Sequence, residues 1–269
     1  MYPMAPRRGK GFEFSTLLSL CILAFAVFAF IQAGRTLKDA ELGLVRFEER
    51  QKDLFVDAGL ITEASRLVPL SGSTATLRSQ TVIVGTTQPN NRVILGSGVI
   101  LGRKKGSIVV VTARHVVRHV GQHFVIMPEF LHTGVLARRI VMSRKYDLAA
   151  VYVRDPLNGV LPTATLAVKE LRNRERFTVM GHPGSKSWVA SPGVLERHLN
   201  YTLLFCPSCD YGDSGAGVFD AHLRLQGIVV SKIFMRAPST QSGKLVGVTA
   251  FLMEPVSHVR RFMAAPTMQ

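Results

Sequence analysis

From Thr81 onward the chain is punctuated into short Val- and Ile-rich runs separated by turn residues. This texture limits the fold more than any other feature of the sequence. "TVIVGTT", "RVILGSGVILG", "SIVVVTA", "HFVIMPEF", "RRIVMS" and "DLAAVYV" make a first series. "ATLAVKEL", "RFTVMGHP", "GVLERHL", "YTLLF", "AGVFD", "RLQGIVVSKIF" and "LVGVTAFL" make a second. β-Branched residues suit extended backbone, and many short runs with little helix between them predict antiparallel sandwiches or barrels. The polar, turn-rich "PLNGVLPTAT" (156–165) divides the two series. The tail "EPVSHVRRFM" reads as a short closing helix.

The chain ahead of this β region has a different texture. Phe14 to Ala33 is a run of 20 residues without a charge, long enough as a helix to cross about 30 Å of hydrocarbon. Arg7, Arg8 and Lys10 precede it, and "IQAG" (31–34) at its end is a poor signal-peptidase site. The segment therefore reads as a retained single-pass anchor rather than a signal peptide. The basic residues before it place the bulk of the chain on the extracytoplasmic side, periplasmic or lumenal, although Arg35 and Lys38 oppose that orientation. The expected organisation is a basic tail (1–13), a transmembrane helix (14–33), a helical stalk or short coiled coil (34–68), a linker (69–79), a first β domain (80–158) and a second with the closing helix (159–269). A heptad started at Leu37 puts Leu37, Leu44, Gln51 and Ala58 at a, and Ala40, Phe47, Leu54 and Ile61 at d. That seam would support a homo-oligomer through residues 37–61. An amphipathic helix lying on the bilayer or on its own barrel is the other reading, and Gly43 and Gly59 weaken the helix.

The formal net charge is +15, and residues 67–269 carry 24 basic against 10 acidic side chains. Such a surplus fits nucleic acid or an anionic leaflet. The basic residues are scattered, with short clusters only at Arg103–Lys105 and Arg172–Arg176, and no nucleic-acid motif accompanies them. No specific nucleic acid is expected, and a basic surface beside a membrane is preferred. No metal or cofactor is expected either. Cys21 lies in the apolar run. Cys206 and Cys209 form a lone Cys-x-x-Cys without the second pair that zinc needs, so two semi-buried thiols or a local disulfide are the readings. His115, His119 and His123 repeat every four residues as on a metal-binding helix, but the run before them is strand-like and no His-Glu-x-x-His is present. His182, His198, His222 and His258 read as surface or core-edge residues.

"YGDSGAGVF" (211–219) sets an acid and a serine among three glycines ahead of an apolar run. It suits a tight turn, or a loop presenting a hydroxyl beside free backbone N–H groups. A nucleophilic serine needs a base, and the base an orienting carboxylate. "SIVVVTARHVV" ends a strand at His115, and "YDLAAVYV" starts one at Asp147. The order is His, Asp, Ser.

Here the chain resembles the chymotrypsin-like serine proteases. "TARH" is similar to their histidine signature, "DLA" to their aspartate strand and "GDSG" to their nucleophile loop, in the right order between Gly96 and Ile233. The short spacings, "VMGHP" and "SPGVL" resemble the HtrA/Deg branch. The resemblance implies an all-β fold of two antiparallel six-stranded Greek-key barrels with the active site between them. It implies an endopeptidase that cleaves protein or peptide substrates through an acyl-enzyme, held at a membrane by the run 14–33 read above as an anchor. Ser214 would be the nucleophile, His115 the base and Asp147 its orienter, with the N–H groups of Gly212 and Ser214 as oxyanion hole. Val229, Val230, Ser231 and Lys232 would form the substrate-pairing strand and pocket wall. Ser208 would take the pocket-floor position; being neutral, beside Lys232, it implies small or medium apolar residues at the cleavage point. The sequence departs from the pattern at Ala216-Gly217 and at Asp213, where the HtrA branch usually carries Asn and for which an arginine partner is expected. The 14 residues after Pro255 leave no room for a PDZ domain. The alternatives are a viral polyprotein-processing protease with the same chemistry, an inactive protease-shaped binding module, and a basic nucleic-acid-binding β protein.

Overall fold

The computed structural model describes residues 74–185, 188–197, 201–238 and 245–265. The transmembrane segment, the stalk with its 37–61 seam, Cys21 and His198 lie outside the described residues. Among those described, no helix is long and apolar enough to cross a membrane.

A short helix α1 (Thr74–Gln80) leads into β1 (Thr81–Thr87), β2 (Val93–Lys104) and β3 (Ser107–Ala113). After the one-turn helix α2 (Arg114–Val117) come β4 (Gln122–Met127), β5 (Leu131–Met142) and β6 (Leu148–Arg154). The second half holds β7 (Arg176–Gly181), β8 (Val189–Arg197), β9 (Thr202–Phe205), β10 (Gly217–Phe219), β11 (Leu225–Pro238) and β12 (Leu245–Pro255), closed by α3 (Val256–Met263). Each half is a closed antiparallel barrel. Around the first the order is β1-β2-β3-β6-β5-β4, and the second repeats it from β7 as β7-β8-β9-β12-β11-β10. The all-β class and the two six-stranded barrels expected above are what the chain forms.

Two expectations are corrected. Thr74–Gln80, read as the end of a polar linker, is helical: Leu77 is buried against the first barrel, and Thr81 Oγ1 donates to the Leu77 carbonyl. "ATLAVKEL" is not a strand. Its backbone makes single bonds, Ala164 N–H to Ile100 O and Leu225 N–H to Thr165 O, and one isolated bridge at Leu166. Both barrels are already closed, so no free edge remains to pair with a seventh strand.

Closure dictates what is buried. All seven residues of β3 are buried, which is why "SIVVVTA" is continuously apolar rather than alternating. Val82, Val99, Ile100, Val110, Val151 and Val153 belong to a core that continues into Phe219, Ile228 and Phe262 of the second half. A second cluster inside the second barrel includes Phe177, Leu195, Leu204, Val229 and Phe251. Residues 114–117, 147 and 211–216 are left at the ends of strands, where backbone geometry is set by turns.

Candidate active site

The register of β3 on β6 pairs Ala113 with Leu148. The residue two beyond β3 and the residue one before β6 therefore emerge at the same end of the barrel. These are His115 and Asp147. Arg114 N–H donates to the Asp147 carbonyl, and His115 N–H donates to Asp147 Oδ1 at 3.1 Å. His115 Nδ1 lies 2.7 Å from Asp147 Oδ2. An ionised carboxylate only accepts, so Nδ1 carries the proton and Nε2 is left as the basic nitrogen. Burial pushes the Asp147 carboxyl up, but the His115 hydrogen bonds and charge, with Arg114 nearby, hold it below its ordinary value.

Ser214 lies on the loop before β10, and this loop is clamped from both barrels. Its carbonyl accepts Ser97 N–H from β2 at 2.8 Å, and Gly215 N–H donates to Val229 O at 2.7 Å. Ser97 Oγ donates to the Gly212 carbonyl at 2.8 Å and accepts His182 N–H. Glycine is required at two points here. Gly212 has φ +102°, and a Cβ on it would fall 2.3 Å from the His182 carbonyl oxygen. Gly215 has φ +89°, and a Cβ would fall 2.0 Å from the Ser97 carbonyl oxygen. Among the described residues, the N–H groups of Gly212 and Ser214 have no acceptor, whereas Asp213 N–H reaches Asp210 O and Gly215 N–H reaches Val229 O. Among the described residues the loop thus leaves two N–H groups without an acceptor, one of them that of Ser214 itself.

A cleft of about 450 Å³ brings these parts together, lined by His115, Asp147, Ser214, Val229, Val230, Ser231 and Lys232. The register of β11 on β12 shifts between Val229 and Ser231, a bulge that breaks regular pairing beside the site. Asp210, Tyr211 and Phe251 also line the cleft. None of the three is among the site residues expected from the sequence. Asp210 and Tyr211 adjoin the glycine loop and could have been suspected from that alone. Phe251 reaches the cleft only because its register partner on β11 is Lys232.

Four expectations are corrected here. Ser208 does not line the cleft; it is exposed in a tight turn closed by a disulfide between Cys206 and Cys209. Lys232 does not present a bare charge: its Nζ lies 2.7 Å from Asp210 Oδ1 and 4.5 Å from the centre of the Tyr211 ring. Among the described residues Asp213 has no arginine partner: its carboxylate is buried against backbone, with Asp210 N–H donating to Oδ2. Burial pushes its pKa up to about 7; the nearby Asp210 charge adds to this, and backbone N–H groups of Asp210 and His182 oppose it. His182 is buried, not a surface or core-edge residue; it packs edge-on against Trp188, and desolvation lowers its pKa to about 4. The three-histidine repeat is split between elements: His115 sits on α2, while His123 sits on β4 with Nδ1 2.8 Å from Thr86 Oγ1. Among the described residues no group of His, Cys, Asp and Glu is arranged to hold a metal ion.

Residues 96–228 match the family model of the trypsin-like peptidase domain. No curated protein matches the chain. Among solved structures, the active form of the protease Rv3671c from M. tuberculosis is similar at TM-score 0.56 and 17% identity, over 78% of this chain and 87% of that one. A serine endoprotease from Yersinia pestis is similar at TM-score 0.55 and 20% identity, over 72% of this chain and 66% of that one. The HtrA-type protease AlgW, in a structure with a tripeptide, is similar at TM-score 0.54 and 20% identity, over 72% and 62%. At such identities the structural likeness is one of fold, and the chemistry rests on the matched domain. Residues 96–228 are a trypsin-like peptidase domain, the domain of a serine protease, and the fold is one that HtrA-type proteases share.

Proposed function

We propose that this protease is an endopeptidase that works through Ser214, His115 and Asp147. Ser214 Oγ attacks the scissile carbonyl carbon while His115 Nε2 takes its proton. The carbonyl oxygen becomes an oxyanion held by the N–H groups of Gly212 and Ser214. Collapse breaks the C–N bond, His115 returns the proton to the leaving amine, and an acyl-enzyme remains on Ser214. Water then attacks the ester with the same base, which releases the acid and restores the hydroxyl. Asp147 fixes the imidazole tautomer and balances the imidazolium. The observation that carries this reading is the convergence of the 2.7 Å His115–Asp147 pair and Ser214 on one cleft beside two unoccupied backbone N–H groups.

The irregular stretch Val229–Lys232 offers backbone for pairing with substrate. The apolar lining of Val229, Val230 and Phe251 supports small or medium apolar residues at the cleavage point. With Lys232 paired to Asp210, a basic residue is disfavoured by the apolar surface of Val229, Val230 and Phe251 and not by repulsion. The uncharged run 14–33 supports anchoring in a membrane with the protease on the extracytoplasmic face. One comparison tests the whole reading: a proteome-wide cleavage profile of wild type, Ser214→Ala and a form lacking residues 14–33, with membrane and soluble fractions assayed separately. Ser214→Ala should lose all wild-type cleavages, the profile should favour apolar residues, and activity should leave the membrane fraction with the deletion. Near-wild-type cleavage by Ser214→Ala would sink the nucleophile assignment. A profile dominated by Arg or Lys would sink the specificity, and unchanged fractionation the anchor.

A further inference from the structure

Asp147 sits outside the regular pairing of its own barrel. It lies on the bend between β5 and β6, where Ser143 Oγ accepts the N–H groups of Lys145 and Tyr146 and leaves the next N–H unserved. That N–H, of Asp147 itself, donates to Glu254 Oε1 at 2.9 Å. Glu254 belongs to β12 of the other barrel, 107 residues away. Its second oxygen, Oε2, lies 2.6 Å from His258 Nδ1 on α3. The His258 ring in turn stacks on Tyr146, with centroids 4.2 Å apart and planes 18° from parallel. The second barrel therefore grips two consecutive residues of the first, Tyr146 by its ring and Asp147 by its backbone.

We infer that Glu254, held by His258, is a positioning residue for the reaction: it sets the backbone from which Asp147 orients His115. Three physical points support this. A bond from N–H to an ionised carboxylate is stronger than one between neutral groups, so it defines the backbone more sharply. A carboxylate so near Asp147 is unfavourable unless its charge is offset, and the His258 N–H supplies that on the far oxygen. A carboxylate only accepts, so His258 donates from Nδ1 whether the ring is neutral or charged. The arrangement also crosses the cleft's two halves. Ser214 comes from the second barrel and His115 from the first, so a strut between the barrels at Asp147 fixes the two relative to each other. A displacement of the base on the scale of 1 Å costs about 100-fold in rate.

The proposal rests on the triad reading, and the test separates the two. The probe is a fluorophosphonate, which forms a Ser214 Oγ–P bond, expels fluoride and gives the serine proton to His115. Its saturation kinetics separate the binding constant from the limiting labelling rate. Glu254→Ala should lower the limiting rate about 10- to 100-fold, with the binding constant and the melting temperature little changed. Glu254→Gln keeps an oxygen to accept Asp147 N–H and should return to within about threefold of wild type. His258→Phe keeps the stack on Tyr146 but loses the donor, and should slow labelling about 3- to 10-fold; it also serves if Glu254→Ala does not fold. A merely structural glutamate would lower the melting temperature and the reactive fraction while leaving the rate per reactive site unchanged. A wild-type limiting rate in Glu254→Ala, or a Glu254→Gln as slow as Glu254→Ala, would overturn the assignment. If wild type itself is not labelled at Ser214, the triad reading falls and this one with it.

Discussion

Asp147 lines the cleft from the first barrel and Asp213 is buried next to Ser214 on the second, and their surroundings drive them in opposite directions. Asp147 is half-buried, yet His115 and Arg114 hold its carboxyl below the ordinary value. Asp213 is buried, meets only backbone N–H groups and the charge of Asp210, and is pushed up to about 7. Residue type does not separate them; depth and partner do. A burial penalty of several kcal/mol is offset in one case by a cationic or hydrogen-bonding side chain and in the other by little. The first barrel's end of the cleft is thus complete electrostatically. The second barrel's end is held by glycine geometry, Ser97 and close packing, and its acid behaves as a titrating group near neutral pH.

The largest effect expected from breaking this contrast lies on the first barrel's side. His115→Ala should cost several powers of ten in cleavage, and the double variant with Ser214→Ala should be little worse than either alone, because the two act as one unit. Losses that multiplied in the double variant would show that the barrels contribute independently. On the second barrel's side, Gly212→Ala should cost about 100- to 1000-fold, the worth of one oxyanion donor, through strain at φ +102° and a collision with the His182 carbonyl. A rate within tenfold of wild type would mean that the loop tolerates reshaping.

The smallest effect is the most informative about the acids. Asp213 is raised from 3.8 to about 7, so its stabilising protonated state is fully present below pH 3.8 and is lost as pH rises through 7. His182 is lowered from 6.5 to about 4, so its contribution is present above pH 6.5 and is lost as pH falls through 4. The two slopes oppose each other between about pH 4 and 6.5, so the wild-type slope there should lie between those of the two variants that follow. Asp213→Asn should leave a melting temperature that rises with pH across that window, and His182→Gln one that falls, each by a few degrees. Parallel curves for all three proteins would remove the idea that Asp213 is poised.

Much of this site was visible in the amino-acid order. "TARH", "DLA" and "GDSG" each sit on a strand end or a tight turn, where neighbours in sequence are neighbours in space. Local chemistry alone limits what such segments do. The two series of Val- and Ile-rich runs likewise carried the antiparallel all-β class, whereas closure into two barrels rather than sandwiches came from the family resemblance. Positions that depend on direction rather than on order were not visible. Ser208 lies six residues from Ser214, a fitting offset, but the disulfide-closed turn leaves it exposed and outside the cleft lining. "ATLAVKEL" has strand-like composition, yet pairing depends on whether an edge is free elsewhere.

The sequence by itself determined the class of fold, the order of the candidate catalytic residues and the need for glycine beside the serine, since each follows from residue type and short-range geometry. Tertiary structure decided which charges meet. The joining of Lys232 to Asp210, the burial of Asp213 without a cation, and the reach of Glu254 across to Asp147 depend on barrel registers and on how the two barrels pack. Such contacts span tens of residues to more than a hundred, and Coulomb and desolvation energies are functions of distance and burial, neither of which is written in the order of the chain.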